Sequence, residues 1–159
     1  MKGIRVVDMT SALSGPFCTW LLASLGADVI KVENPAGDIV RNTPPFKDDI
    51  SVYFASVNRN KRSIKLDLKS EKGKLVLHKL LATADVFIEN MRPGVRNRLG
   101  CSDATLKTIN PRLITASITG FGQKGSLSDR PAYDIIVQAM SGMMSINGEL
   151  NGKPTRVGF

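Results

Sequence analysis

Ile4-Arg-Val-Val-Asp-Met9 runs through Ser14-Gly-Pro16 into the apolar stretch Phe17 to Leu25, then Gly26, then Asp28-Val-Ile-Lys-Val32. This segment decides the fold. Its two ends are short and rich in β-branched residues, as buried strands are. Pro16 suits the first turn of a helix, where its missing N–H costs nothing, and Gly26 suits the position just past the helix end. Strand, helix and strand together take about 30 residues, a βαβ unit with a right-handed crossover and parallel strands.

The same alternation continues along the chain. Ser63-Ile-Lys-Leu-Asp-Leu68, Asp85-Val-Phe-Ile-Glu89 and Leu113-Ile-Thr-Ala-Ser-Ile118 read as further strands. Ser70 is a plausible cap for a helix from Glu71 to Ala84, whose Val76, Leu77, Leu80, Leu81 and Ala84 make one apolar stripe. Glu33 to Ile50, with its prolines and aspartates, reads as a long loop, and Val52 to Ser56 as a short helix. Val95 to Leu99 predicts a short helix ending at Gly100, and Ser102 or Asp103 caps another that stops before Pro111. Ala132 to Met144 is the last predicted helix. The expected class is α/β, an open parallel sheet with helices on both faces. Ligands of such sheets bind at the carboxyl ends of the strands. Those ends are Thr10 to Gly15, Glu33 to Arg41, Leu66 to Lys69, Asn90 to Arg92 and Thr119 to Lys124.

The bulk properties bound the function. A chain of 159 residues is about one domain, and 42% hydrophobic with 23% charged residues is ordinary for a globular protein. No apolar run is long enough for a membrane span, and Arg5 and Asp8 interrupt the N-terminal run that a signal peptide would need. A cytoplasmic setting is the default expectation, with a mitochondrial one as the alternative for a eukaryotic source. Cys18 and Cys101 have neither disulfide-framework nor zinc-site spacing, and no metal is expected. The net charge of +8 favours an anionic partner, or simply a solvated basic surface.

Candidate chemistry concentrates at the strand ends. Thr10-Ser-Ala-Leu-Ser-Gly-Pro16 is a small-residue turn into a helix, where backbone N–H groups can hold an anion. Gly120-Phe-Gly-Gln-Lys-Gly125 has dinucleotide-loop spacing without the required strand and helix context, and reads better as a mobile loop. His78, the sole histidine, falls on the polar helix face and is expected to be solvated. The basic groups are Asn58-Arg-Asn-Lys-Arg62 and the trio Arg92, Arg96 and Arg98; Arg96 is expected on a solvated helix face. Aromatic residues make up only 6% and do not interleave with the basic ones, which argues against RNA binding. Asp134, at the start of the last helix, is either a site carboxylate or an ordinary N-terminal helix charge.

An ordered set of motifs resembles the class III coenzyme A transferases, the CaiB/BaiF family. It comprises Gly3-Ile-Arg-Val-Val-Asp8, Ser14-Gly-Pro16, Leu25-Gly-Ala-Asp-Val-Ile-Lys-Val-Glu33, Gly37-Asp38 and Asn58-Arg-Asn-Lys-Arg-Ser-Ile-Lys-Leu-Asp67. Ala84-Asp-Val-Phe-Ile-Glu-Asn90, Pro93-Gly94, Ser117-Ile-Thr-Gly-Phe-Gly122, Pro131-Ala-Tyr-Asp134 and Gln138-Ala-Met-Ser-Gly142 complete it. The resemblance implies the N-terminal part of the large, Rossmann-like domain of a CoA-transferase, with acyl-CoA and a carboxylic acid as partners and an interlocked homodimer as the assembly. It implies that an aspartate attacks the thioester, giving an anhydride and then an aspartyl-CoA thioester. Position by position, it implies coenzyme A contacts at Ser11, Ala12, Leu13, Ser14, Asn34, Leu66, Asp67, Leu68, Lys69, Asn90, Met91, Arg92 and Arg98. Pro131, Ala132, Tyr133 and Asp134 match the loop nearest the thioester.

In this family the nucleophilic aspartate follows a segment like Pro154-Thr-Arg-Val-Gly158, so the resemblance places it just beyond Phe159. Residues 1–159 are then expected to be an incomplete domain, without the second domain and without activity alone. Three other readings stand beside this one: an acyl-CoA racemase relative, a non-catalytic module for CoA or a nucleotide, and a basic RNA-binding domain. Racemases carry His where this chain has Tyr133, which favours transfer.

Overall fold

The computed structural model describes residues 1–158, which form two compact units, Met1–Ile118 and Thr119–Phe159; Phe159 itself lies outside the described residues. The first unit opens as the sequence predicts, with β1 (Arg5–Met9), α1 (Ser14–Ser24) and β2 (Asp28–Glu33). Pro16 sits in the first turn of α1. Past its end, the Gly26 N–H donates to the Ala23 carbonyl and the Ala27 N–H to that of Leu22, both at 3.0 Å. This double closure satisfies carbonyls that the helix leaves open.

Three parallel strands complete the sheet: β5 (Arg62–Lys65), β6 (Val86–Glu89) and β7 (Ile114–Ser117). The strand order is β5-β2-β1-β6-β7. Val7 lies at the centre, level with Ile30 on one side and Phe87 on the other. Because side chains alternate along a strand, Val6 and Val7 feed opposite faces. Val6, Val29 and Ile88 pack with Ala23 of α1 on one side. Val7, Val32 and Phe87 pack on the other side with Leu77 and Leu81 of α3 (Glu71–Ala82) and Leu106 of α5 (Asp103–Ile109). Helices therefore cover both faces. Each side chain sealed this way contributes about 1.5–3 kcal/mol over its exposed state.

Several local expectations need correction. The loop expected over Glu33 to Ile50 contains a 3-10 turn (Ile39–Asn42) and a small hairpin, β3 (Phe46–Lys47) with β4 (Ile50–Ser51). The hairpin closes through Asp48 and Asp49 at φ 49° and 60°, a conformation that aspartate tolerates better than most residues. It leads into α2 (Val52–Asn58). Ser70 caps α3 as expected, its hydroxyl accepting from the Gly73 N–H at 3.1 Å. The helix stops at Ala82, and its deeply buried line is Gly73, Leu77 and Leu81, with Val76 exposed. His78 is half-buried, not solvated: its Nε2 lies 2.9 Å from the Gly100 carbonyl beyond α4 (Val95–Arg98). Arg96 is not on a solvated face either, since its guanidinium bonds Asp103 at 2.6 Å with the side chain only 15% exposed.

The second unit carries α6 (Asp134–Met140) and a 3-10 turn (Met143–Ser145), so the helix expected from Ala132 to Met144 is shorter and broken. Gly142 at φ 78° breaks it, a backbone state that a helix cannot contain. Gln138 is buried and ties the unit together. Its amide donates to Asp134 Oδ2 at 2.6 Å and to the Val157 carbonyl at 3.1 Å, and its Oε1 accepts from the Val157 N–H at 2.9 Å.

Candidate functional site

The sheet reverses its winding between β1 and β6: the chain builds outward through β2 and β5, then returns to the other side of β1. At such a switch point the loops leaving two neighbouring strands part and open a crevice. Here a cavity of about 1070 Å³ opens at the carboxyl ends of the strands. Its lining comes from Met9 to Ser11 after β1, Val32 to Asp38 after β2, Leu66 to Lys69 after β5, and Asn90 and Met91 after β6. Val95 of α4 and Leu99 at its end close it.

Ionic groups sealed at the strand ends hold these loops in place. Asp8 is fully buried, accepts from the Thr19 hydroxyl at 2.6 Å and pairs with Lys61 Nζ at 3.1 Å. Lys31, on the strand beside it, is 1% exposed and pairs with Asp38 at 2.8 Å. Glu33 receives two hydrogen bonds from Arg41, at 2.6 and 2.7 Å, and one from the Ser63 hydroxyl at 2.5 Å. Burial by itself would raise the Glu33 carboxyl, but these bonds and the Asp38 N–H outweigh it and hold its pKa at about 2. Burial pushes the Lys61 ammonium below its ordinary range, and the Asp8 carboxylate offsets part of that shift. The Cys101 thiol is pushed up to about 11 by burial, so it stays protonated and inert near neutral pH.

Of the residues singled out from the sequence, Ser11, Asn34, Leu66, Asp67, Leu68, Lys69, Asn90 and Met91 line this one cavity. Ala12, Leu13 and Ser14 continue from its rim into α1, which starts with no side-chain cap and no acidic residue in its first turn. The turn is tight. A Cβ on Gly15 would meet the Thr10 side chain at 2.3 Å, so only glycine fits there. Arg92 and Arg98 are exposed, and neither has a carboxylate partner among the described residues. Pro131, Ala132, Tyr133 and Asp134 belong to the second unit. There Tyr133 and Asp134 line a cavity of about 400 Å³ together with Arg156 and Val157. Among the described residues no His, Cys, Asp and Glu group could hold a metal ion.

The sequence reading missed the sealed charges. The available signal was an acid or a base inside each strand that should have been wholly apolar: Asp8 in β1, Lys31 and Glu33 in β2, Glu89 in β6. Charges are rarely buried unless paired. Four such residues at the same end of neighbouring parallel strands point to one shared ionic layer.

Along residues 1–159 the chain matches CoA-transferase family III. It belongs to that family. It is 52% identical over 157 residues to the acetyl-CoA:oxalate CoA-transferase of Acetobacter aceti, covering 98% of this chain and 40% of the relative. It is 47% identical over 160 residues to the succinyl-CoA:glutarate CoA-transferase of Mus musculus, covering 99% and 37%. The solved structure of a CAIB/BAIF family protein from Brucella suis superposes with a TM-score of 0.95 at 41% identity, covering 99% of this chain and 43% of that one. This family III chain thus spans about two fifths of the length of the relatives it matches. No helix among its described residues is long and apolar enough to cross a membrane.

Proposed function

We propose that this chain is the coenzyme-A-binding portion of an acyl-CoA:carboxylate CoA-transferase, with the carrier seated in the cavity at the β1–β6 switch point. One observation carries the reading. Eight of the positions that the family motif assigns to coenzyme A, Ser11, Asn34, Leu66 to Lys69, Asn90 and Met91, are scattered in sequence yet line a single cavity at the strand ends. Arg92, Arg98 and Lys69 supply cations for the phosphates, and arginine in particular offers a planar fork that matches phosphate oxygens. Pro131, Ala132, Tyr133 and Asp134 are assigned to the same ligand on the family motif, not on the fold of the first unit. The acceptor is a short dicarboxylate, in keeping with the oxalate and glutarate that relatives are named for. A homodimer is proposed on the resemblance alone.

The reaction in the full-length setting is thioester exchange. A carboxylate of an aspartate attacks the thioester carbonyl, the coenzyme A thiolate leaves, and an acyl anhydride remains. The thiolate returns to the aspartyl carbonyl and releases the acyl group as its acid. The acceptor acid then attacks the aspartyl thioester, and the thiolate closes the cycle on the acceptor. We assign the nucleophile to none of Asp8, Asp38 or Asp134. The first two are sealed in ion pairs, and the third accepts a hydrogen bond from Gln138.

Calorimetry with free coenzyme A tests the binding half of the reading. Millimolar or tighter binding, weakened at least tenfold by Arg98→Ala, is the expected result, since a charge-assisted phosphate contact is worth about 1.5–3 kcal/mol. No binding, or binding indifferent to Arg98, overturns it. A transfer assay with succinyl-CoA and glutarate or oxalate tests the other half. Turnover by the 159-residue chain would overturn the assignment of the nucleophile.

A further inference from the structure

The loop between β1 and α1 has its backbone polar groups taken, one after another, by side chains. The Thr10 N–H donates to Asp8 Oδ1 at 2.8 Å, and the Thr10 carbonyl accepts from Lys31 Nζ at 2.7 Å. The Ser11 N–H donates to Asn90 Oδ1 at 2.9 Å, and the Ser11 carbonyl accepts from Asn90 Nδ2 at 2.8 Å. The Ala12 N–H faces Asp38 Oδ1 at 3.4 Å. Ala12 itself sits at φ 65°, in the left-handed region that a residue with a Cβ enters only when its surroundings over-determine it. Once these bonds are made, the Ser11 hydroxyl, the Ala12 carbonyl and the N–H groups of Leu13 and Ser14 hydrogen-bond to no described residue.

Lys31 and Asp38 are the costly members of this arrangement. Both side chains are 1% exposed, and they face each other at 2.8 Å. The ionic attraction itself contributes little net stability, because the desolvation of both charges offsets it. The pair also joins the loop after β1 to the 3-10 turn after β2. Lys31 reaches from β2 to the β1 loop, while Asp38 caps the 3-10 turn through the Val40 N–H at 3.2 Å. The neighbouring Asp8–Lys61 pair neutralises its own charge and leaves Lys31 to Asp38.

We infer that Lys31 and Asp38 are positioning residues, a buried ion pair whose task is to preform the Thr10–Ala12 loop for the phosphate-bearing ligand of the cavity. The inference rests on the proposed function for the identity of that ligand. A preformed loop does not have to be ordered at the moment of binding, so it gains affinity without making a new contact.

The decisive variant is Lys31→Met/Asp38→Leu, which leaves no charge unpaired; Asp38→Asn is made alongside it. Urea unfolding, residue-resolved hydrogen exchange and calorimetry with coenzyme A are read on the full chain. In the double variant the expected result is a chain that still unfolds cooperatively in urea, exchange at the Ser11 and Ala12 amides accelerated about tenfold or more beyond any change at Val29 and Ile30, and coenzyme A affinity weaker by about tenfold. Unchanged protection of the loop amides overturns the inference. So does a uniform loss of protection across the unit, or failure of both variants to fold, because either would make the pair merely structural. If the wild-type chain binds no coenzyme A, the proposed function falls, and the exchange measurement still decides whether the pair shapes the loop.

Discussion

The first unit keeps charges inside, and the second keeps apolar side chains outside. Asp8, Lys31, Glu33 and Glu89 are all 4% exposed or less. In the second unit Ile135, Ile136 and Val137 of α6 are each at least 40% exposed, and Ile146 and Leu150 reach 88% and 94%. The two patterns have one cause. An ion can be enclosed only where a rigid frame supplies its partners; the parallel strands carry these ions to a common edge, and the segments between the strands bring Lys61, Asp38, Arg41 and Arg96 to meet them. An apolar side chain is enclosed only where a second layer lies across it. Among its described residues the second unit has one short helix, a 3-10 turn and no sheet of its own. Gln138 and its bonds to Val157 do there what a packed core does in the first unit.

The largest effect that would break this contrast is expected at Asp8. Asp8→Ala leaves Lys61 without its carboxylate and the Thr10 hydroxyl and N–H without a partner, and should cost about 3–5 kcal/mol in urea unfolding. A loss below about 1 kcal/mol would put the pair on a level with surface ion pairs. Acid attacks the same layer through Glu33. Its carboxyl is held at about 2, against 4.5 when unperturbed, so its contribution is complete above pH 4.5 and lost as pH falls from there through 2. Stability followed against pH should bend downward within that window, and a flat profile would show that Arg41 does not hold the carboxylate. Gln138→Ala should cost the second unit about 1–3 kcal/mol by leaving the Val157 N–H and carbonyl unpaired, with the Val157 amide losing its exchange protection. The smallest change is expected from Ile146→Ser and Leu150→Ser, each within about 0.5 kcal/mol in the isolated chain. A larger loss at either would mean that the exposed apolar surface is covered in solution.

Much of the framework was legible because its signals are local. Pro16 and Gly26 bracket α1, Ser70 caps α3, and the apolar runs mark the strands, each readable from a few neighbouring residues. Most of the cavity lining was legible for a topological reason, since parallel strands put their carboxyl ends on one edge. What escaped depended on distant partners. Lys61 finds Asp8 from 53 residues away, and His78 meets the Gly100 carbonyl from 22 away. The predicted helix through Met144 failed where a single φ at Gly142 outweighed an apolar pattern. Arg96 looked solvated on its own helix, yet Asp103 on the following helix claims it.

Period and punctuation along the chain were enough to determine a parallel sheet covered on both faces and the edge at which a ligand would be met, because alternation and end-capping act over a few residues. Which charges lie sealed beneath that edge, and how they shape the Thr10–Ala12 loop, was decided only by the tertiary structure. An ion pair in the interior exists only once strands far apart in sequence have closed around it and excluded water.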